Sequence, residues 1–205
     1  MKPIKNSERG QIVVLLVLVV IGLLGFTALA IDGSMIFSDR RFTQSVADSA
    51  SLAGGNIIKD TIISARVNDI DFYCPLTSDV TTLGGDILDA IADGFNTALD
   101  RADEYYPQLP DITVTSADMT FDAGIYRVSA LTVDGNDFYV SCDEDDESLT
   151  VYVQLTSQTD TAFMHLISNQ VARNTVEAET RIIAQQSLTG GNTINGTGNG
   201  LNNTL

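Results

Sequence analysis

The stretch IVVLLVLVVIGLLGFTALAI, residues 12–31, carries no charge and no strongly polar group. As an α-helix rising about 1.5 Å per residue it spans about 30 Å, the thickness of a bilayer's hydrocarbon core. Gln11 and Asp32 close it on either side, where such a helix leaves hydrocarbon. A run this apolar exceeds what a surface helix needs, so it predicts a membrane anchor built on residues such as Ile12, Val17, Leu24 and Ile31, with the lipid bilayer as the first partner.

The flanks set an orientation. Lys2, Lys5 and Arg9 precede the span against Glu8 alone, which places residues 1–10 in the cytoplasm and everything after Asp32 outside it. The outer flank is mixed, with Asp32 and Asp39 against Arg40 and Arg41. The alternative is a secreted acidic binding protein released at Ala28-Leu29-Ala30, a small-x-small cleavage pattern. Against it, the apolar run is longer than a signal-peptide core of about 7 to 15 residues, and cleavage would cut a helix whose pattern continues.

That pattern runs through MIFSDRRFTQSVADSASLAGGNII, where Phe42, Val46, Ala50 and Ala53 recur at helical spacing as a narrow packing stripe of small residues. Gly54-Gly55 is the expected stop, giving one long helix over 11–55. Gly22 and Gly25 permit close helix approach in the span without forming G-x-x-x-G. Residues 56–84 are mixed. A second amphipathic helix follows, with Ile87, Ile91, Phe95 and Leu99 four residues apart, ended by Pro107 and Pro110.

From Asp111 the period becomes two. LTVYVQLT alternates Leu149, Val151, Val153 and Leu155 with polar residues; Val176, Ala178, Thr180, Ile182 and Ala184 alternate likewise. DITVTSADMTF, IYRVSALTV and DFYVSC predict further strands, the last two joined through a turn at Asp134-Gly135-Asn136-Asp137. TDTAFMHLISNQ predicts a short helix capped by Thr159 or Asp160. Residues 190–205 form a Gly/Asn/Thr-rich tail in which Asn195-Gly-Thr and Asn202-Asn-Thr fit the glycosylation sequon by composition. The expected fold is α+β: a long N-terminal helix packed on a mainly antiparallel sheet, pilin-like in overall shape, with one extracytoplasmic domain over 56–189.

The formal charge is −16, and residues 32–205 hold 26 acidic against 8 basic side chains. Such a surface repels phosphate backbones, so nucleic acid is excluded as a partner. The single histidine, His165, sits in the apolar AFMHLI segment and reads as structural. With no G-x-S-x-G, H-E-x-x-H, P-loop or dinucleotide fingerprint, the chain predicts no enzyme, no cofactor and no small-molecule substrate. The run Asp143 to Glu147 is acidic enough for calcium on Asp143, Asp145 and Asp146, but it lacks the alternating spacers and turn glycine of a calcium loop, so a solvated hairpin is preferred and no metal is expected. Asp32-Gly-Ser begins like a D-x-S-x-S metal site, and Met35-Ile36 breaks it. Cys74 and Cys142, both on the exported side, predict a disulfide stabilising by about 4 kcal/mol in the chain-entropy view.

Taken together, residues 8–55 resemble the TadE/TadG-like proteins of Flp (tight adherence) pilus assembly. The resemblance is carried by Arg9-Gly10, Asp32-Gly33, Arg40-Arg41, Gln44 and the string from Ala47 to Gly55, with serines in place of two alanines. It implies a bitopic envelope protein associated with pili, a minor pilin-like subunit or an assembly factor, partnered by itself or by secretion-machinery subunits. The fifth residue after Gly10 is Leu15 where related prepilins carry Glu, and the chain has neither the length nor the motif for the adhesion domain of larger relatives.

Overall fold

The computed structural model describes residues 9–66, 83–105, 109–143, 148–161, 163, 171–183, 194–198 and 201–203. Two compact units emerge, one from Met1–Asp39 with Gln158–Asn174, the other from Arg40–Ser157 with Thr175–Leu205. The fold is α+β, with helices α1 (Arg9–Arg66) and α2 (Leu83–Asp103) and a sheet whose spatial order follows the chain.

In the smaller unit α1 presents its apolar side chains outward: Ile12 through Leu24, Phe26, Leu29 and Ile31 are all exposed. Among the described residues α1 is the one helix long and apolar enough to cross a membrane.

In the larger unit α1 continues past Gly54-Gly55, the expected stop, to Arg66. The glycines serve proximity. A methyl group on Gly54 would lie 2.7 Å from the Gly94 carbonyl oxygen of α2, and one on Gly55 would lie 2.8 Å from Cγ2 of Thr180. A glycine pair inside a helix reads as a terminator only when nothing needs the missing Cβ space; here two neighbours need it.

The sheet comprises β1 (Thr120–Asp122), β2 (Ile125–Arg127), β3 (Asp137–Asp143), β4 (Ser148–Thr159), β5 (Ala172–Ile183), β6 (Ile194–Gly198) and β7 (Leu201–Asn203). The pairs β1–β2, β2–β3, β3–β4, β5–β6 and β6–β7 are antiparallel, with Phe138 opposite Val153, Val140 opposite Val151 and Tyr126 opposite Val140. These residues, with Leu149 and Leu155 of β4 and Val176, Ala178 and Ile182 of β5, line the core face. The alternation in β4 and β5 is the expected one, while Ala184 lies outside the described residues. Helix α2 closes the core with Ile87, Ile91, Phe95 and Leu99, all buried.

Three expectations require correction. DITVTSADMTF is a strand only at Thr120–Asp122. Asn96 of α2 donates through Nδ2 to the Val114 carbonyl (2.9 Å) and accepts the Val114 N–H at Oδ1 (2.7 Å), so a helix side chain takes the backbone groups a neighbouring strand would have used. Just beyond, a single 3-10 turn at Ser116–Asp118 is fixed by the Asp118 carboxylate, which accepts the hydroxyl and N–H of Thr115. IYRVSALTV is a strand only through Arg127 and then forms a 3-10 turn at Ser129–Leu131. Thirdly, the expected tail contains β6, which pairs with β5, and β7.

The turn at 133–136 has positive φ at Asp134 (55°) and Gly135 (88°), not at Asn136, the pattern of a two-residue I′ hairpin. Asn136 instead accepts the Thr156 N–H of β4 at Oδ1, 2.8 Å away.

Candidate functional site

The face that α1 turns to the domain consists of two adjacent rows, each stepping by four residues: Thr43, Ala47, Ser51 and Gly55, and Val46, Ala50, Gly54, Ile58 and Ile62. All nine are buried. The rows serve different neighbours. Ser51 Oγ meets Thr180 Oγ1 of β5 at 3.0 Å, beside the Gly55 contact. Gly54 and Ile58 meet Gly94 of α2, where a Cβ would lie 2.8 Å from Ile58 Cγ1. With a Cβ excluded on both sides, helix backbones pack as closely as small-residue crossings allow, and dispersion contacts replace bulk.

Polar pins fix the register of this seam. Gln44 Nε2 donates to Asp48 Oδ1 (2.9 Å) and to the Glu177 carbonyl of β5 (3.1 Å). Of the four stripe residues expected from sequence, Val46 and Ala50 are buried, Ala53 is half-buried, and Phe42 is largely exposed with its ring edge-on to Tyr105 at 5.7 Å. The true stripe is rotated by one position, so Thr43 is buried where Phe42 was expected.

The opposite sheet face is polar. Tyr139 and Tyr152 stack at 4.5 Å; Arg127 lies over the Tyr139 ring at 5.0 Å and pairs with Asp137 at 3.2 Å. Tyr139 Oη donates to Glu177 Oε1 (3.1 Å). Partial burial, then the Glu177 charge, push the Tyr139 phenol well above its ordinary value; Tyr152 is raised by burial and then by Glu179. Nothing in the sequence signals this ladder, because it depends on strand register.

In the smaller unit, Asp32 and Asp39 lie two turns apart on α1 and both bind the chain near residue 160. The Asp32 carboxylate is 5% exposed and accepts the Phe163 N–H at 3.0 and 3.3 Å; Asp39 Oδ2 accepts the Thr159 hydroxyl at 2.7 Å. Thr159 itself ends β4, and the helix expected over TDTAFMHLISNQ, His165 included, falls outside the described residues apart from Thr159, Asp160, Thr161 and Phe163.

Ile12, Val17, Leu24 and Ile31, the expected anchor residues, are exposed along α1. Cys142 lies in β3 against the core, and Cys74 is outside the described residues. Asp143 ends β3, with Asp145 and Asp146 outside the described residues; among those described, no three of His, Cys, Asp and Glu gather as a metal site. The arrangement holds helices and strands together by close packing and hydrogen bonds.

Residues 10–56 match a protein-family model, Tad, described as "Putative Flp pilus-assembly TadE/G-like". The match covers less than a quarter of the chain and, Arg9 apart, takes in the residues that carry the resemblance noted above. No curated protein and no solved structure matches the chain.

Proposed function

We propose that the protein is a single-pass, membrane-anchored structural or assembly component of a Flp/Tad-type pilus or related surface filament, acting by helix packing and not by catalysis. The observation that carries this reading is the coincidence of the family match with α1, which joins an outward apolar run to a small-residue packing face within one helix. Lys2, Lys5 and Arg9 favour a cytoplasmic N-terminus and an extracytoplasmic domain. Partners are further copies of the chain or other pilus and secretion-machinery subunits, met through helix surfaces.

Val17→Asp tests the anchor. An Asp at the centre of a span costs about 3 kcal/mol on insertion scales, so the variant leaves the membrane fraction and surface filaments are lost. Undiminished membrane retention refutes the anchor; normal filaments in cells lacking the protein refute the pilus role.

A Cys74–Cys142 disulfide belongs to the same reading. It is supported by Cys142 having no free thiol and by Cys74 being the other cysteine of the chain. Thiol alkylation of the unreduced, denatured protein is expected to add no mass; two adducts refute the bond.

A further inference from the structure

The lipid-compatible face of α1 does not end at Ile31. Met35 is 48% exposed and Phe37 63%, continuing the line of outward side chains that runs from Ile12 through Phe26 and Leu29. The hydroxyls within this line are hydrogen-bonded to their own helix. The Thr27 hydroxyl donates to the Leu23 carbonyl (2.8 Å) and the Ser34 hydroxyl to the Ile31 carbonyl (2.7 Å), so neither offers hydrocarbon an unmet donor. Asp32, which the sequence marks as the point of exit from hydrocarbon, is buried instead and takes the Phe163 amide.

A carboxylate bare to lipid is expensive, and one covered by protein with a backbone donor is not. From Ile12 to Phe37 the chain holds 26 residues, about 39 Å of helix. That exceeds a hydrocarbon core of about 30 Å by about a turn and a half. The first charges beyond are Asp39, which binds Thr159, and the exposed Arg40.

We propose that the bilayer-contacting surface extends to Phe37, with Met35 and Phe37 seated at the headgroup–acyl boundary. Asp32 then lies within the interface, covered by the chain at Phe163. The occupant of this face is lipid, because the face is continuous with the span and no charged side chain is exposed along it. The inference rests on the anchor reading above.

The chain contains no tryptophan, so Phe37→Trp introduces a single reporter. The full-length protein is placed in phosphatidylcholine vesicles whose acyl chains are brominated at shallow or at deep positions, alongside Val17→Trp and Val133→Trp, the latter at an exposed turn of the larger unit. Val17→Trp is expected to be quenched most by deep bromines. Phe37→Trp is expected to be quenched most by shallow ones, several-fold more than Val133→Trp. Met35→Trp repeats the measurement should Phe37→Trp misfold.

An unquenched, water-like Phe37→Trp beside a quenched Val17→Trp overturns the extension and leaves the anchor standing. Blue-shifted but unquenched emission also overturns it, since protein, such as a second copy, then covers the face. Loss of quenching at both positions removes the anchor reading itself.

Discussion

The two halves of α1 use side chains in opposite ways. Residues 12–37 put Leu, Val, Ile, Met and Phe outward, and around Gly22, Gly25 and Gly33 there is open space where a Cβ would go. Residues 43–62 turn Ala, Ser, Thr and Gly inward, where a Cβ on Gly54 or Gly55 would collide. Bulk suits a fluid surrounding that adapts to any shape, whereas absence of bulk suits a fixed neighbour whose own backbone must come near. One helix therefore shows both solutions, and in the reading proposed here the boundary between them is the boundary between lipid and protein.

The same chemical change made in each half separates these cases most sharply. Gly54→Ala forces a methyl group against the Gly94 carbonyl and is expected to destabilise the domain by about 1–3 kcal/mol, read as a lowered denaturant midpoint at unchanged slope. Gly22→Ala meets nothing and gains helix propensity, so the midpoint stays or rises. Equal losses at both sites would erase the distinction.

A more local effect, read at one amide, is expected in the smaller unit. Asp32→Ala removes a charged acceptor from the Phe163 N–H, worth about 1.5–3 kcal/mol, and hydrogen exchange at that amide should accelerate at least tenfold. Unchanged protection at Phe163 would mean that Asp32 does not hold it.

The smallest effect concerns pH. The folded Tyr139 phenol titrates above its unfolded value, so its contribution is complete below pH about 10 and declines as pH rises further, while the unfolded chain sheds its proton first. Tyr139→Phe should flatten this alkaline decline in thermal scans; an unaltered slope would place its origin elsewhere.

Period and spacing made some of this architecture readable in advance. Leu149 to Leu155 and Val176 to Ile182 alternate because one sheet face is buried, and Ile87 to Leu99 repeat every four residues because one helix face is. What escaped depends on partners distant in sequence. Gly54-Gly55 reads as a stop although α1 runs through it, because its role lies with Gly94 and Thr180, both distant along the chain. The Thr43 and Val46 rows were visible only as a blurred stripe that admitted Phe42, because small residues weigh little in a hydrophobic count. Val114 was expected in a strand until Asn96 claimed its backbone. Asp32 looked like a border marker, and its contact with Phe163 lies 131 positions along the chain.

The sheet's strictly sequential order, β1 to β7, has a kinetic corollary. Hairpin partners such as β3 and β4 meet soon after synthesis because they are close along the chain, whereas the Ser51–Thr180 contact joins residues 129 positions apart. The Thr43–Gly55 row of α1 accordingly waits, unfilled, until β5 has been made, and a nascent molecule truncated before Thr180 carries that row bare to whatever chaperone or sister helix arrives first.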